Sequence, residues 1–384
     1  MWYNHLSEYL LKEGFENNPI CLCVFIKKLE SGFAIVAVYV DDLNLVGTLE
    51  ELTKTTNCLK NEFEMKDLGK TKFCLGLQIE HLPNGILVHQ STYTEKVLKQ
   101  FYMDKAHPLS TPMVGQSLDV KKDPFRPQEN DKETLGPEVP YLSAIGALMY
   151  LANCTQPDIA FVVNLLARYS SAPTQRHWNG IKHILRYLRG TTDLGLFYPN
   201  GSKPQLVGYA DAGYLSDPHK GRSQSGYLFT YGNTIISWRS VKQTISTTSS
   251  NHAEIIAVHE VSHECVWLRS VIQHIHENCG LSSIIKVQRY YTKIMLLVSL
   301  KLGEDISRVI KTSILHQIFF IHISTRRVAI LMSSRYDHVI IWPICSLSHY
   351  QLRILRRWCT TLVCINLRIF LPQTMEILCT HEGE

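Results

Sequence analysis

Two adjacent aspartates, Asp41 and Asp42, interrupt a run of apolar residues and constrain the fold more than any other feature of the sequence. The apolar segment Phe33–Val40 precedes them and Leu43–Gly47 follows, which is the pattern of two strands joined by a tight turn. We therefore predict a β-hairpin with both carboxylates at its tip. Because two unpaired anions are costly to bury, a divalent cation would stabilise such a pair. An ordinary Asp-Asp turn or a strand end of the Walker B type are the alternatives.

Composition places the chain among globular proteins and excludes some classes. Its 384 residues are 45% hydrophobic and 19% charged, enough for two or three domains with buried cores. The sequence has no apolar run of roughly 18 residues and no basic segment before an apolar one, so we expect neither a membrane span nor secretion. The 11 cysteines lack zinc-ligand spacing, which favours reduced thiols in an intracellular protein. A net charge of +5 is weak support for nucleic-acid binding.

A second carboxylate occurs in a β-rich region nearer the C-terminus. Leu206–Asp211 is predicted to be a short strand that ends in Asp211. Ser225–Tyr231 and Thr234–Trp238, joined by glycine and asparagine, predict a hairpin, and the β-branched residues 244–248 predict a third strand. Asp211 would then be either a site residue or a turn residue at a strand end.

A long helix is predicted after these strands, from Asn251 to Asn278. Asn251 is a plausible N-cap, and Glu254 follows at the spacing of a capping box. The apolar residues of this helix recur at spacings of three and four, which predicts one buried stripe. Glu254 would therefore be either a cap or a second functional carboxylate.

The middle of the chain contains a helix with a basic side. It begins at Thr174, and its apolar stripe consists of Trp178, Ile181, Leu185 and Leu188. The basic residues mostly off that stripe are Arg176, Lys182, Arg186 and Arg189. They are either a face that follows nucleic-acid phosphates or an ordinary solvated surface, and the residues by themselves favour the solvated surface.

Tyr39–Asp42 has the Y-x-D-D form that is the signature of reverse transcriptases, and the surrounding sequence resembles copia-type retrotransposon polyproteins. In the N-terminal part the resemblance covers Met1–Asn4, Pro19–Phe25, Tyr39–Gly47, Phe63–Gly69, Phe73–Ile79 and His89–Leu98. Farther along it covers Tyr141–Tyr150, Gln156–Ala160, Tyr209–Ala212, Ser223–Tyr227, Ser237-Trp238, Lys242-Gln243, Ala253-Glu254 and Trp267-Leu268.

The resemblance implies a polymerase joined to a ribonuclease H. Asp41 and Asp42 would hold Mg²⁺ or Mn²⁺ for nucleotide addition, and Asp211 and Glu254 would hold it for hydrolysis of the RNA strand of an RNA–DNA hybrid. The implied partners are an RNA template, a DNA primer and the hybrid, within a cytoplasmic particle or the nucleus. Residues expected to contact nucleic acid are Tyr39, Lys66, Arg176, Lys182, Arg186 and Arg189.

The predicted fold is α+β or α/β, in five segments. Residues 1–115 would be the C-terminal part of a polymerase palm with its thumb, 116–139 a linker, and 140–200 a helical connection. Residues 201–285 would be a truncated RNase H-like domain, a mixed sheet with helices. Residues 286–384 would be a non-native tail.

The tail is expected to result from a frameshift. Between Glu304 and Glu382 there is no glycine, and the apolar residues keep no period. Codons can be chosen for Gln288–Val298 and Arg335–Gln351 that encode different sequences when they are read one base out of register. These sequences resemble a strand of the family that this chain lacks and a later motif of the family. The frameshift would remove the third and fourth carboxylates of the RNase H site, and the resemblance implies a further palm aspartate upstream. Without these ligands we expect an inactive fragment. A non-catalytic nucleic-acid-binding remnant and a functionless pseudogene product are the alternatives.

Overall fold

The computed structural model describes residues 2–30, 32–40, 42–115, 121, 123–127, 134–201, 205–232 and 234–279, and the backbone of 375–382. Asp41, most of the predicted linker and nearly all of the predicted tail lie outside these residues. The described strand pairings are antiparallel, so the fold is α+β. No helix in the described part is long and apolar enough to cross a membrane.

The N-terminal unit is a sheet with helices on one face. Its elements are α1 (Trp2–Lys12), β1 (Glu16–Asn17), β2 (Val24–Lys28), β3 (Phe33–Tyr39), β4 (Asp42–Thr48), α2 (Leu49–Glu62) and β5 (Met65–Lys70). The strand order is β1-β2-β3-β4-β13-β5, where β13 is Met375–Glu382. One segment of the predicted tail therefore pairs with this sheet. The frameshift itself stays a prediction.

Strand β3 is buried on both faces, which explains its unbroken apolar sequence. Val36 and Val38 pack with α1 and α2 on one face. Ile35 and Ala37 pack on the other, in a cluster that also contains Val261 of the long C-terminal helix. The predicted hairpin between β3 and β4 is confirmed.

A second sheet links distant parts of the chain. It has the order β6-β7-β8-β9, and its strands are β6 (Phe73–Cys74), β7 (Leu77–Leu82), β8 (Gly85–His89) and β9 (Gly195–Pro199). Helix α3 (Ser91–Gln100) follows β8. Leu87 pairs with Phe197, so the chain returns to this sheet after the helical connection.

The predicted connection is helical. It contains α4 (Tyr141–Cys154), a 3-10 turn (Pro157–Ile159), α5 (Ala160–Ala167) and α6 (Gln175–Gly190). Thr174 caps α6 and forms a capping box with His177, so the predicted start of this helix is confirmed. Ile181, Leu185 and Leu188 of the predicted stripe are buried, and Trp178 is half-buried.

The C-terminal unit contains β10 (Leu206–Asp217), β11 (Arg222–Tyr231), β12 (Thr234–Lys242) and α7 (Ser250–Asn278). The predicted hairpin is present as β11 and β12, but two expectations were wrong. Strand β10 continues past Asp211, because Ala212 and Gly213 also pair with β11. Residues 244–248 are not a strand, because Gln243 is buried against Ala253 at the start of α7 and takes the chain out of the sheet.

The cap of α7 also differs from the prediction. Ser249 is the N-cap, and its side chain accepts a hydrogen bond from the backbone N–H of His252. Asn251 lies inside the first turn, so Glu254 is too far along the helix for a capping box. A cap therefore does not explain Glu254.

Candidate functional sites

The hairpin tip carries a strained backbone. Tyr39 pairs with Asp42, and Val40 lies in the turn between the two strands. Val40 has φ +53° and its side chain is 67% exposed. A β-branched residue at positive φ costs roughly 1–3 kcal/mol, and such strain is concentrated at functional sites, where the surrounding fold imposes it. The tip is therefore the strongest candidate site in the N-terminal unit.

The neighbouring strands hold this tip rigidly. Asp42 is half-buried and opens β4, and Asp41, between Val40 and Asp42, lies outside the described residues. Farther along β4, the buried Asn44 donates to Cys74 Sγ at 3.5 Å and accepts from the Thr71 hydroxyl at 3.4 Å. Sequence reasoning missed Asn44, although a lone amide in an apolar strand is a signal of a buried hydrogen-bond network.

Strand β13 runs beside the hairpin. Its residue His381 pairs with Asp42 of β4 on one side and with Lys66 of β5 on the other. Lys66, a predicted nucleic-acid contact, is exposed, and Tyr39 is half-buried. The C-terminal strand thus separates Lys66 from the hairpin that carries Asp42.

Asp211 lies in the middle of β10 and is exposed. It pairs with Gly226, whereas the adjacent Ser225 contacts Gln243 on the face that α7 covers. Because side chains alternate along a strand, Asp211 points to the face opposite α7. Glu254, half-buried on α7, belongs to the other face. The contacts between α7 and the sheet do not bring these two carboxylates together.

Gln243 fixes the start of α7 against the sheet. Its amide Nε2 donates to Ser225 Oγ at 3.0 Å and to the Ala253 carbonyl at 2.9 Å, and its side chain is buried. This bridge places Glu254, the residue after Ala253, near the start of β11. Sequence reasoning included Gln243 only as part of a resembling dipeptide.

Two further acids of α7 were not anticipated. Ser237 donates to Glu264 Oε1 at 2.7 Å. Burial raises the pKa of the Glu264 and Glu260 carboxyls, although nearby Arg239 acts in the opposite direction on both. In the sequence, Glu260 and Glu264 are four residues apart and lie next to the apolar stripe of α7. That spacing is the signal that could have identified them.

Carboxylate oxygens are hard ligands, so the predicted residues suit Mg²⁺ or Mn²⁺ in chemical type. Mg²⁺ commonly uses one or two protein carboxylates together with water and substrate phosphates. Across the part of the chain that the structure describes, no group of three or more His, Cys, Asp or Glu residues is arranged to hold a metal ion. The carboxylates of the candidate sites thus fit such an ion in chemical type.

The basic side of α6 contacts backbone carbonyls from an earlier part of the chain, before α4. Arg186 Nε donates to the His107 carbonyl at 2.8 Å, and Arg189 Nε to the Asp104 carbonyl at 2.7 Å. Arg176 similarly donates to the Pro127 carbonyl at 3.3 Å. Lys182 is exposed, with its ammonium 5.9 Å from the centre of the Trp178 ring. The arginines therefore have a structural role. Each of these hydrogen bonds uses one of the five guanidinium N–H groups.

Comparison with known proteins gives consistent matches. Residues 1–115 match the family described as reverse transcriptase (RNA-dependent DNA polymerase). The chain is 38% identical over 279 residues to a retrovirus-related Pol polyprotein from transposon TNT 1-94 of Nicotiana tabacum, covering 71% of this chain and 21% of the relative. It is 33% identical over 273 residues to the corresponding polyprotein from transposon RE2 of Arabidopsis thaliana, covering 71% and 18%.

A shorter relative is matched over nearly its whole length. An uncharacterized mitochondrial protein of Arabidopsis thaliana is 31% identical over 234 residues, which is 60% of this chain and 92% of the relative. The chain spans about a fifth of the length of the transposon polyproteins that it matches. No solved structure matches it significantly.

Proposed function

We propose that this chain, which belongs to the family of copia-type retrotransposon Pol polyproteins, is the C-terminal part of an RNA-directed DNA polymerase joined to an RNase H-like domain. The observation that carries the proposal is the hairpin tip. Its turn residue Val40 is strained and exposed, and Asp42 follows directly at the start of a buried strand. That arrangement places a half-buried carboxylate at the end of a paired strand, a rigid support of the kind that binding of a metal and a primer end requires.

Asp41 and Asp42 are the proposed metal ligands of the polymerase site. When bound, Mg²⁺ or Mn²⁺ would activate the primer 3′-hydroxyl and neutralise the leaving phosphate. The chain's own contribution is positional. Strands β3 and β4 pair along their length, and Asn44 ties β4 to Thr71 and Cys74, so the tip is held from both sides.

The chain by itself is proposed to be inactive as a polymerase. Two-metal catalysis needs ligands for both ions. Asp41 and Asp42 are two carboxylates, and the resemblance implies a third aspartate from an upstream strand of the palm, so the hairpin would supply only part of the site. We expect primer binding at most, without nucleotide addition.

Primer extension tests this proposal directly. Purified chain is incubated with an oligo(dT) primer on poly(rA), with Mg²⁺ or Mn²⁺, beside a variant carrying Asp41→Asn and Asp42→Asn. Equal background signals are expected from both proteins. Extension by the wild-type chain that the double substitution abolishes would show a complete active site and overturn the proposed inactivity.

The RNase H-like domain is proposed to retain Asp211 and Glu254 as remnants of a second metal site. Asp211 points to the face opposite α7 and Glu254 lies on α7, an arrangement that supports the proposed lack of activity. We expect negligible cleavage of a labelled RNA–DNA hybrid in Mg²⁺. Cleavage that is lost in Asp211→Asn would contradict this.

Binding of nucleic acid without catalysis is the second candidate, and the exposed Lys182 and Arg189 on α6 favour it. Affinity for an RNA–DNA hybrid should fall as salt rises, because each phosphate contact releases counterions. Lys182→Ala should reduce that salt dependence by about one contact, and Lys105→Ala serves as a control on the neighbouring segment. Binding that is absent, or independent of salt, would favour the third candidate, a functionless pseudogene product.

A further inference from the structure

Two histidines lie one turn apart on the outer part of α7, away from the candidate sites. The Nε2 atoms of His259 and His263 are 3.4 Å apart. Their ring centroids are 4.8 Å apart, with the planes at 77°. His263 is exposed and His259 is half-buried, so both rings reach the surface from a helix that is otherwise packed against the sheet. Neither the polymerase nor the ribonuclease chemistry uses this pair.

The separation of the two nitrogens has a specific geometric meaning. Zinc binds imidazole nitrogen at about 2.0–2.1 Å in a tetrahedral arrangement, so two such nitrogens lie about 3.3–3.4 Å apart. Adjacent nitrogens of an octahedral ion at that bond length would lie only about 2.9 Å apart. The distance in this helix matches the tetrahedral value without any movement of the backbone.

The protonation state is also suitable. Burial lowers the pKa of His259, and the neighbouring His263 lowers it further. The neutral imidazole, which is the form that binds metal, is therefore favoured at neutral pH. A weak N–H···N hydrogen bond between two neutral rings is the alternative explanation of this contact.

We propose that His259 and His263 form a two-histidine chelating site for a tetrahedral divalent ion of the zinc type, with water in the other two positions. In the described part of the chain no third His, Cys, Asp or Glu completes the set, so exchangeable water or a second molecule fills it. Imidazole nitrogen selects borderline ions such as Zn²⁺ over Mg²⁺, so this site is chemically separate from the carboxylates. Bound metal would link residues i and i+4 and stabilise α7, the helix that carries Glu254.

Binding of Zn²⁺ alone to the full chain tests the proposal. Titration calorimetry is done on the wild type and on His263→Gln, which keeps a polar side chain at an exposed position. His252→Gln, on the same helix but outside the pair, is the matched control for the other histidines. We expect at least a tenfold loss of the tightest Zn²⁺ affinity in His263→Gln, about 1.4 kcal/mol, and no change in His252→Gln.

A second measurement reports geometry and separates the two explanations of the contact. Co²⁺ in a tetrahedral site gives a strong visible absorption band, and an octahedral ion gives a weak one. The band should appear with the wild type and with His252→Gln, and be absent with His259→Gln and His263→Gln. Equal Zn²⁺ affinity in all variants, or no tetrahedral band in the wild type, would leave only the hydrogen-bonded pair and overturn the proposal.

Discussion

Arg168 and Asp217 form an ion pair that is almost completely buried between the helical connection and the C-terminal sheet of β10, β11 and β12. Arg168 Nη1 lies 3.5 Å from Asp217 Oδ2, and the two side chains are 8% and 6% exposed. Arg168 also donates to Gln224. Nearby, Trp238 Nε1 donates to the Ala152 carbonyl at 2.7 Å. The two units are therefore joined by buried polar contacts.

Breaking this pair should destabilise the junction strongly. Asp217→Asn leaves the Arg168 guanidinium buried without its counter-charge, which typically costs about 3–5 kcal/mol. Urea unfolding of the full chain measures the change. The double variant Arg168→Met with Asp217→Leu removes both charges and should recover most of the loss. A single variant as stable as the wild type would show that the pair is hydrated in solution.

Relieving the strain at the hairpin tip should stabilise the chain. Val40→Gly removes the Cβ that makes φ +53° unfavourable. We expect a gain of about 1 kcal/mol in the free energy of unfolding. The matched control is Val38→Gly, at a buried strand position where loss of the side chain should destabilise. If both variants lose stability, the turn is not strained.

The buried Glu264 should make stability depend on pH. Burial raises the pKa of this carboxyl in the folded state, so the folded chain holds its proton more tightly than the unfolded chain does. Stability from this group is therefore present below the unfolded value of 4.5 and is lost as pH rises through the folded pKa.

Glu264→Gln keeps an acceptor for Ser237 but cannot ionise. It should be more stable than the wild type at pH 7 by more than the ~0.5 kcal/mol spread of surface substitutions. The difference should disappear near pH 4. Glu277→Gln, exposed on the same helix, should show no such trend. A difference that is constant with pH would mean that Glu264 ionises normally.

Strand β13 should protect its two neighbours. Thr380 pairs with Leu43 of β4 and with Asp67 of β5. Thr380→Pro removes a backbone donor from the ladder, and Thr380→Val keeps it. Hydrogen exchange in peptides that cover β4 and β5 should accelerate with proline and not with valine. Equal exchange in both would show that residues 375–382 do not occupy this position in solution.

Several features of the fold were predictable from the local pattern of apolar and polar residues in the sequence. The hairpin around Tyr39 and Asp42 was predictable because apolar runs on both sides of a short polar break have few other solutions. The start of α6 at Thr174 was predictable for a similar reason, since a cap and an apolar stripe lie within a few turns. The family could be inferred because its motifs occur in order along the chain.

The remaining features depended on packing between distant segments. Ser249 rather than Asn251 caps α7, because buried Gln243 joins Ala253 to Ser225 and sets where the helix begins. The side of the sheet that Asp211 faces follows from the contacts of Ser225, on another strand. The places of β9 beside β8 and of β13 between β4 and β5 are set by backbone pairing across long loops. Such pairing leaves little trace in local sequence, because any strand presents the same N–H and C=O groups.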